Sequence, residues 1–593
     1  MVKQSGYLAL AALGLLLGGV ASLAQQAPQK ETVPVLKKET SLVLVDVVLT
    51  DKSGKPVRGL KREDFEIKEE GKKQAIEVFA SSGESESRAA PPPLPPNVYT
   101  NRPEYHPPRE PLTIVLLDSL NTPRADQMRM REEIVHYLSN SVKTKQWTAL
   151  LGLSSQLYVL QDFTTDRRLL IAAAKKFAPQ QSTAEGIRQQ TTSRETRDEI
   201  EVLMQEVQNG MPGGMETVWL MERFLDDVTN VADKDRAGRT LAALHTLANA
   251  VVGYPGRKNL IWVSAAFPVY FAPTYRKGSD TSNTRLAGSM LGQSVEDKVR
   301  DTFRLLNDAR VAIYPVDPRG LINPTEPESF AEFASRQAQQ VQQNAPQDTP
   351  RNPINYLRIS QGTLNELAEG TGGQAFFNRN DIQQAVALAV TDGSSYYTLG
   401  YYPDNKNWDG RYRNIELKLA RKGAQLRYRK GYFATRVTFH DAQADATSPS
   451  VTPDLEAALS DPFPATGIVF RAKLAPPAPA SAAQVRVEFW LDKDSFPVQG
   501  WSEGARQINM DYVVAAYSAE GKMAASAAKR VAWSLKPNDY AQVLQRGLLL
   551  PVTVELPPGE YTMRLLLRDR QSGQMGRVDL PLTVPAPPPA ASP

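Results

Sequence analysis

Two hydrophobic rhythms divide the chain. In the centre, roughly residues 112–392, short runs that are apolar at almost every position alternate with segments of helical spacing; examples are 112–117 (LTIVLL), 259–263 (NLIWV) and 311–316 (VAIYPV). A strand that is apolar throughout is buried on both faces, and strands that alternate with helices favour a parallel sheet. The centre is therefore predicted to be an α/β domain, a doubly wound, mostly parallel sheet with helices on both faces.

On either side of the centre the hydrophobic period changes to two, which is typical of half-buried strands. Residues 34–80 and 394–437 each hold about three such strands, and 466–584 holds a longer all-β series with the spacing of a sandwich. Each of the first two segments is an incomplete sheet, so we expect them to pair in one β-sandwich, with the α/β domain inserted between them. Residues 466–584 are predicted to form a separate, immunoglobulin-like sandwich.

The N-terminus resembles a secretory signal peptide. Lys3 supplies the positive region, Tyr7–Val20 is apolar, and Ser22 and Ala24 are small residues at the positions that a signal peptidase inspects. The apolar stretch is shorter than the ~20 residues of a membrane span. We expect cleavage after residue 24, no membrane insertion of the mature chain, and a secreted or periplasmic location.

The stretches between these units are proline-rich or polar. We interpret 81–111 as a Pro-rich linker, 441–465 as a second linker and 585–593 as a disordered tail. Two Gln-rich insertions, at about 180–235 and 320–356, interrupt the α/β domain.

Composition narrows the chemistry. Among 593 residues there are 69 Lys+Arg and 65 Asp+Glu, a net charge of +4 that argues against nucleic acid as the main partner. Cysteine is absent, which excludes disulfides and thiolate metal sites, and the 4 histidines leave few candidates for histidine chemistry. Neither a zinc-protease motif, a G-x-S-x-G elbow nor a phosphate-binding glycine loop occurs.

Four segments together resemble a known family. They are GKPVRGLKREDFEIKEEGKKQ (54–74), IVLLDSLNTP (114–123), ELAEGTGGQAFF (366–377) and the region from YYTLGYYPD to RKGYF (396–433). The central pattern resembles a von Willebrand factor type A domain, and residues 34–437 resemble the VWFA-related family of exported acidobacterial proteins.

The resemblance implies a divalent-cation site where the sheet strands end, built on a D-x-S-x-S motif, a loop threonine and a later Asp. Asp118 matches the first Asp and Thr122 replaces the last Ser, but Leu120 stands at the middle Ser and Ala265 at the later Asp. Hard cations need oxygen ligands. The sequence therefore predicts a degenerate site in which Asp118 and Thr122 are vestigial ligands that satisfy loop backbone groups.

Two further assignments complete this site. Thr183 and Thr217 are candidates for the loop threonine, and Asn121 could offer an amide oxygen although it is one position out of phase. We expect no cofactor, with weak Mg or Ca binding as the alternative.

A second motif imitates a calcium loop. Asn405, Asn407, Asp409 and Gly410, with Glu416 at the twelfth position, follow the EF-hand spacing. The flanking segments have the pattern of strands rather than helices, so a hairpin connection is the favoured interpretation.

The leading functional hypothesis is an exported, non-catalytic module for protein interaction or adhesion with an unknown protein partner. A metal-dependent or serine hydrolase of the cell envelope, with Ser154 or Ser155 as the only nucleophiles considered, is the rival from another class. A passive envelope or assembly component is the third alternative.

Overall fold

The structure of the protein is a computed structural model. It describes residues 42–82, 91–106, 112–140, 146–179, 202, 205, 234–267, 293–320, 353–379, 381–421, 423–435, 453–475, 484–496 and 505–586. At 202, 205, 293–297, 353–360, 435, 453–454 and 494 we use the backbone only.

Within these residues the chain forms strands and helices in an order that divides into three layered units. The strands are β1 (Val43–Thr50), β2 (Phe65–Glu69), β3 (Lys72–Gln74), β4 (Val78–Ser81), β5 (Val98–Thr100), β6 (Leu112–Asp118), β7 (Trp147–Leu153), β8 (Leu157–Thr164), β9 (Lys258–Val263), β10 (Val311–Val316), β11 (Tyr397–Tyr401), β12 (Asp409–Leu419), β13 (Gln425–Arg427), β14 (Gly431–Thr435), β15 (Arg471–Leu474), β16 (Gln484–Leu491), β17 (Arg506–Ser518), β18 (Met523–Leu535), β19 (Leu548–Glu555), β20 (Gly559–Asp569) and β21 (Met575–Val584). The α-helices are α1 (Arg124–Asn140), α2 (Arg167–Lys176), α3 (234–251), α4 (Gln293–Asp308), α5 (Pro353–Thr371), α6 (Ile382–Ser394), α7 (Pro453–Ser460) and α8 (Pro537–Arg546).

The central unit is an α/β sheet with helices on both faces. Its strand order is β10-β9-β6-β7-β8, in which all neighbours are parallel except β7 and β8. Alternate side chains of each strand enter two different cores: Leu116 and Trp262 pack with α3, α4 and α5, whereas Val115 and Ile261 pack with α1, α2 and α6. Burial on both faces explains why β6, β9 and β10 are apolar almost throughout.

The first and last parts of the segment 42–435 form one two-layered β unit. β1 pairs with β11 and β13, giving the sheet β13-β1-β11-β4, and β2 pairs with β12, giving the sheet β14-β12-β2-β3. The inner faces of both sheets share one core, which includes Val45, Ile67, Leu399 and Ile415. The chain thus leaves this unit after β4 and returns to it at β11.

The C-terminal unit also consists of two antiparallel sheets over one core. One sheet has the order β19-β16-β15-β5 and the other β18-β17-β20-β21. The strict alternation of β16, with Val485, Val487 and Phe489 buried between exposed or half-buried neighbours, reflects a strand that has one face in the core and one outside it.

The interpretation of 81–111 as only a linker is wrong. β5 lies in this stretch and pairs with β15 of the C-terminal unit. The buried Asn101 that follows it donates from Nδ2 to the carbonyl oxygens of Ala465 (3.1 Å) and Ile468 (2.8 Å), and its Oδ1 accepts the N–H of Phe470 (3.0 Å). A three-residue strand at a sheet edge pairs with one neighbouring strand only. It is too short to show the alternating hydrophobic pattern that predicts a strand.

The second linker, 441–465, is also only partly a linker. Its residues 453–460 form α7, whose Leu455 and Leu459 pack against Val513 and Leu566 on the outer face of a C-terminal sheet. The Arg577 guanidinium, which is 1% exposed, donates to carbonyl oxygens in and after this helix. α7 is so short that hydrophobic periodicity in the sequence does not distinguish it from a loop.

The C-terminal sandwich is not a separate module, because it is joined to the α/β unit at Thr466. The N–H of Thr466 donates to the carbonyl oxygen of Asn249 at 2.9 Å, and its hydroxyl accepts the N–H of Gly253 at 2.9 Å. Thr246 of α3 donates to Asp461 at 3.1 Å. These bonds attach the end of α3 to the start of the sandwich.

Candidate functional site

The sheet crest, residues 118–122 and 264–267, lies where β6 and β9 end. The two strands are parallel and in register up to Leu117 and Val263, so their loops emerge side by side. The carboxyl ends of an open α/β sheet are where such folds form their crevice. Asp118, the last residue of β6, is 0% exposed there.

Both oxygens of Asp118 accept hydrogen bonds from within the chain. Oδ1 accepts the N–H of Asn121 at 2.9 Å. Oδ2 accepts Nδ2 of Asn121 at 2.8 Å, Nε1 of Trp262 at 2.9 Å and the hydroxyl of Ser264 at 2.9 Å. Three of the four donors lie at Oδ2 and one at Oδ1, and Ser264, which has one hydroxyl proton, is also 2.9 Å from the carbonyl oxygen of Ala266. The carboxylate is thus enclosed by internal donors, mainly at Oδ2.

The electrostatics of Asp118 follow from this enclosure. Burial raises the pKa of Asp118 above its ordinary value, and the hydrogen bonds from Asn121, Trp262 and Ser264 oppose that rise. These donors are all neutral groups, and dipoles stabilise a buried carboxylate less than a full countercharge does.

Thr122 and Asn121 join the crest to neighbouring segments. The Thr122 hydroxyl accepts the N–H of Ala265 at 3.1 Å, which connects the loop after β6 to the loop after β9. Asn121 also donates from Nδ2 to the hydroxyl of Thr240 at 2.8 Å, which lies on α3. Asp118 and Thr122 therefore hold loop groups in place, and Asn121 is part of the same network.

Sequence reasoning missed Thr240. Its hydroxyl donates to the carbonyl oxygen of Arg236 one turn earlier, at 2.9 Å, and accepts from Asn121. A buried threonine among Ala237, Leu241 and Leu244 on the apolar face of α3 was the available indication. The two candidates for the loop threonine, Thr183 and Thr217, lie outside the described residues.

A cationic side chain lies against the crest. Arg319, three residues beyond the end of β10 and two beyond Asp317, donates from Nη2 to the carbonyl oxygen of Ala265 at 2.6 Å. The same guanidinium pairs with Asp317 at 2.7 Å. In the type A pattern an Asp stands at the position of Ala265. In this chain the backbone oxygen of that residue accepts a hydrogen bond from a guanidinium.

The residues present do not fit a divalent cation. Four internal donors already lie at hydrogen-bond distance from Asp118. Leu120, which is 4% exposed, contributes to the hydrophobic core instead of offering an oxygen. Oδ1 of Asn121 is the one amide oxygen of this network left without a hydrogen-bond partner among the described residues. Among the residues that the structure describes, no three His, Cys, Asp or Glu residues cluster as metal ligands do.

The calcium-like loop is held by an arginine. The Arg413 guanidinium donates to the carbonyl oxygens of Asn405 (2.8 Å) and Asn407, and it pairs with Glu69 at 3.3 Å. The positive charge of this guanidinium lies against the loop and disfavours a calcium ion there. The hairpin interpretation is also wrong, because β11 and β12 belong to different sheets and the loop crosses between them.

The serine candidates for hydrolase chemistry and His136 contact different groups. Ser154 and Ser155 form the turn between β7 and β8, where the N–H of Ser154 donates to the carbonyl oxygen of Gln156 at 3.2 Å. The ring of His136 contacts Asn140 on α1, with 3.0 Å between Nε2 and Nδ2. These contacts do not pair either serine with that imidazole.

Comparison with known proteins gives only distant likenesses. No family model matches the chain, and no curated protein matches it. A solved aerotolerance-related membrane protein from Bacteroides fragilis, carrying multiple mutations to serine, is 10% identical, with a TM-score of 0.24 over 47% of this chain and 98% of that one. A PilB minor pilin from Streptococcus sanguinis is 9% identical, with a TM-score of 0.21 over 48% of this chain and 61% of that one.

A von Willebrand factor type A protein from Catenulispora acidiphila is 9% identical, with a TM-score of 0.19 over 80% of this chain and 66% of that one. This chain thus spans about three fifths of the pilin and two thirds of the Catenulispora protein. Overlaps at this level do not define a shared fold. The α/β assignment rests on strand order and packing, and membership of the acidobacterial family stays a prediction.

The predicted signal peptide, most of the predicted tail and most of both insertions lie outside the described residues. Among those that are described, no helix has the length and apolar character needed to cross a membrane.

Proposed function

We propose that the chain is an exported, non-catalytic module for protein interaction or adhesion. Its crest would recognise a partner by shape and hydrogen bonding, not through a bound cation. The observation that carries this proposal is the enclosure of Asp118: four internal donors lie within 2.9 Å of the carboxylate that a metal-dependent site would present to a cation.

The charge at the crest supports the same proposal. The Arg319 guanidinium sits on the carbonyl oxygen of Ala265 and disfavours a divalent cation beside it. The exposed Arg124 opens α1 at the same edge of the sheet. An edge with these groups favours an acidic or hydrogen-bonding protein surface as partner.

Metal dependence is tested by thermal melting of the mature chain in EDTA and in excess magnesium. A cation that binds only the folded state would raise the melting temperature by mass action, and we expect the same melting temperature in both. Asp118→Asn is the matched variant. A saturable rise with magnesium that Asp118→Asn abolishes would show that the cation-independent proposal is wrong.

Partner binding is tested with the whole mature chain, because residues 98–100 complete a C-terminal sheet and a cut between the units would remove a strand. We expect one saturable partner to be captured from culture fluid or envelope extract and to bind equally in EDTA. Arg124→Glu should weaken the capture.

Arg168→Glu is the control for this experiment. Arg168 is exposed at the start of α2, beside Arg167, which donates to the carbonyl oxygen of Ser139 at the far end of α1. Arg168→Glu makes the same charge change as Arg124→Glu, but at the opposite edge of the sheet, and this variant should bind the partner normally. Capture of nothing saturable would favour the passive component, and hydrolytic activity lost in Asp118→Ala would favour the envelope hydrolase.

A further inference from the structure

A small cavity lies at the seam between the α/β unit and the N-terminal β unit. Its volume is about 20 Å³, and eight residues line it: Leu44, Asp46, Arg257, Asn307, Arg310, Val311, Thr371 and Arg429. A cavity of this size holds one or two groups as large as a water molecule. Its wall combines three guanidinium groups with a single carboxylate.

Two of the three guanidinium groups of the wall have defined hydrogen bonds. Arg310 pairs with Asp46 and donates to Thr398 at 2.7 Å. Arg257, which is 2% exposed, donates from Nη2 to the hydroxyl of Tyr314 at 2.9 Å and to the carbonyl oxygen of Gly372 at 2.6 Å. These contacts fix both groups at the cavity.

Two donors of this wall are left over. Nε of Arg257 and Nε of Arg429 are buried and have no hydrogen-bond partner among the described residues. A buried N–H without an acceptor costs about 1–3 kcal/mol, and more when the group is charged. Each therefore needs an acceptor, and none of the described residues supplies one.

Charge counting separates an ion from a water molecule as that acceptor. Burial works against the charged form of Asp46, but Arg310 and Arg257 hold the pKa of Asp46 below its ordinary value, so this carboxylate is ionised. Burial likewise opposes the charge on Arg257, and Tyr314 and Asp46 keep its pKa above the ordinary value. Three cations and one anion leave the wall with an excess of two positive charges.

The surroundings neutralise only part of this excess. Behind the wall, Arg427 pairs with Asp392 at 2.5 Å and Arg304 pairs with Asp308 at 3.2 Å, so these groups cancel each other. The helices α4 and α5 end beside the cavity, and each helix C-terminus carries about half a negative charge. About one positive charge remains.

We propose that this cavity binds one monovalent inorganic anion of the size of chloride, held by Arg257, Arg310 and Arg429. The ion would accept the two unused Nε–H groups and cancel the remaining charge. Its ligands come from the residue before β9, from the residue before β10 and from the segment before β14, and Asp46 on β1 closes the wall. Binding would therefore strengthen the seam between the two units.

The proposal is tested by melting the mature chain at constant ionic strength while methanesulfonate, which is too large for the cavity, is replaced by chloride. A one-site ligand at fivefold excess over its Kd changes the unfolding equilibrium about sixfold. We expect a saturable rise of about 2–4 °C in the melting transition of the α/β unit.

Arg429→Gln should abolish the chloride response, and Arg421→Gln, on an exposed position outside the cavity wall, should retain it. Crystals grown in bromide provide a readout that does not depend on a variant folding, with an anomalous peak expected between the three guanidinium groups. Equal melting temperatures in both salts, a response that Arg429→Gln retains, or a water molecule without anomalous signal in the cavity would each overturn the proposal.

Discussion

The substitution Asn101→Ala tests whether residues 98–101 belong to the C-terminal unit. The Asn101 side chain is 6% exposed and makes three hydrogen bonds to backbone groups of residues 465–470. Alanine keeps the Cβ but removes the carboxamide that makes all three. We expect the substitution to loosen the attachment of β5 to β15.

The size of the effect follows from what each backbone group has left. The carbonyl oxygen of Ala465 still accepts the N–H of Arg577 at 2.8 Å, so it loses only a second bond. The carbonyl oxygen of Ile468 and the N–H of Phe470 lose the partner that Asn101 provides. At about 1–1.5 kcal/mol for each of these two buried groups, the free energy of unfolding should fall by about 2–3 kcal/mol.

The assay is amide hydrogen exchange at Phe470 together with urea unfolding of the mature chain. A loss of 2–3 kcal/mol corresponds to exchange that is about 30- to 150-fold faster at this amide. Asn140→Ala, at an exposed position at the end of α1, is the control and should change neither measurement by more than about 0.5 kcal/mol. Wild-type exchange at Phe470 in the Asn101 variant would refute the attachment of β5.

Further predictions concern the crest, a close backbone contact and the calcium-like loop. Burial raises the folded-state pKa of Asp118 above the ordinary 3.8, so the unfolded chain ionises at the lower pH. The stability that this group contributes is therefore full below 3.8 and is lost as the pH rises towards the folded-state pKa. The melting temperature should accordingly fall less with rising pH in Asp118→Asn than in the wild type. Gly373→Ala would place its Cβ 1.9 Å from a backbone oxygen of β10 and should cost several kcal/mol in urea unfolding, whereas Gly238→Ala, with nothing within 4 Å, should be neutral or stabilising. Arg413→Met leaves buried Glu69 without its cation and should cost about 3–5 kcal/mol, largely recovered when Glu69→Gln is added. Calcium should leave the melting temperature of the wild type unchanged, and a calcium-dependent rise lost in Arg413→Met would contradict our interpretation of that loop.

Part of the candidate site followed from residue identities. Leu120 and Ala265 have no side-chain oxygen in any fold, so the sequence alone predicts that neither side chain can be a ligand of a hard cation. The use of Thr122 to satisfy a backbone group could be expected from its chemistry, but its partner, the N–H of Ala265, lies 143 positions further along the chain. Pairings over such separations leave no trace in local periodicity.

The sequence by itself determined the local structure of the centre. Strands that are apolar on both faces must be covered on both sides, and the alternation of the runs 112–117 and 259–263 with helical segments favoured an α/β sheet. The folded chain then placed β6 in the middle of that sheet and brought Asn121 beside Thr240.

Tertiary structure alone decided which distant segments share a sheet or a buried charge. β5 joins β15 across more than 370 positions because a three-residue edge strand is stabilised by its partner, not by its own sequence. The enclosure of Asp118 by neutral donors and the gathering of three arginines around one carboxylate likewise depend on packing. Hydrophobic pattern records which face of an element is buried, whereas the identity of the groups that meet there depends on how the elements dock.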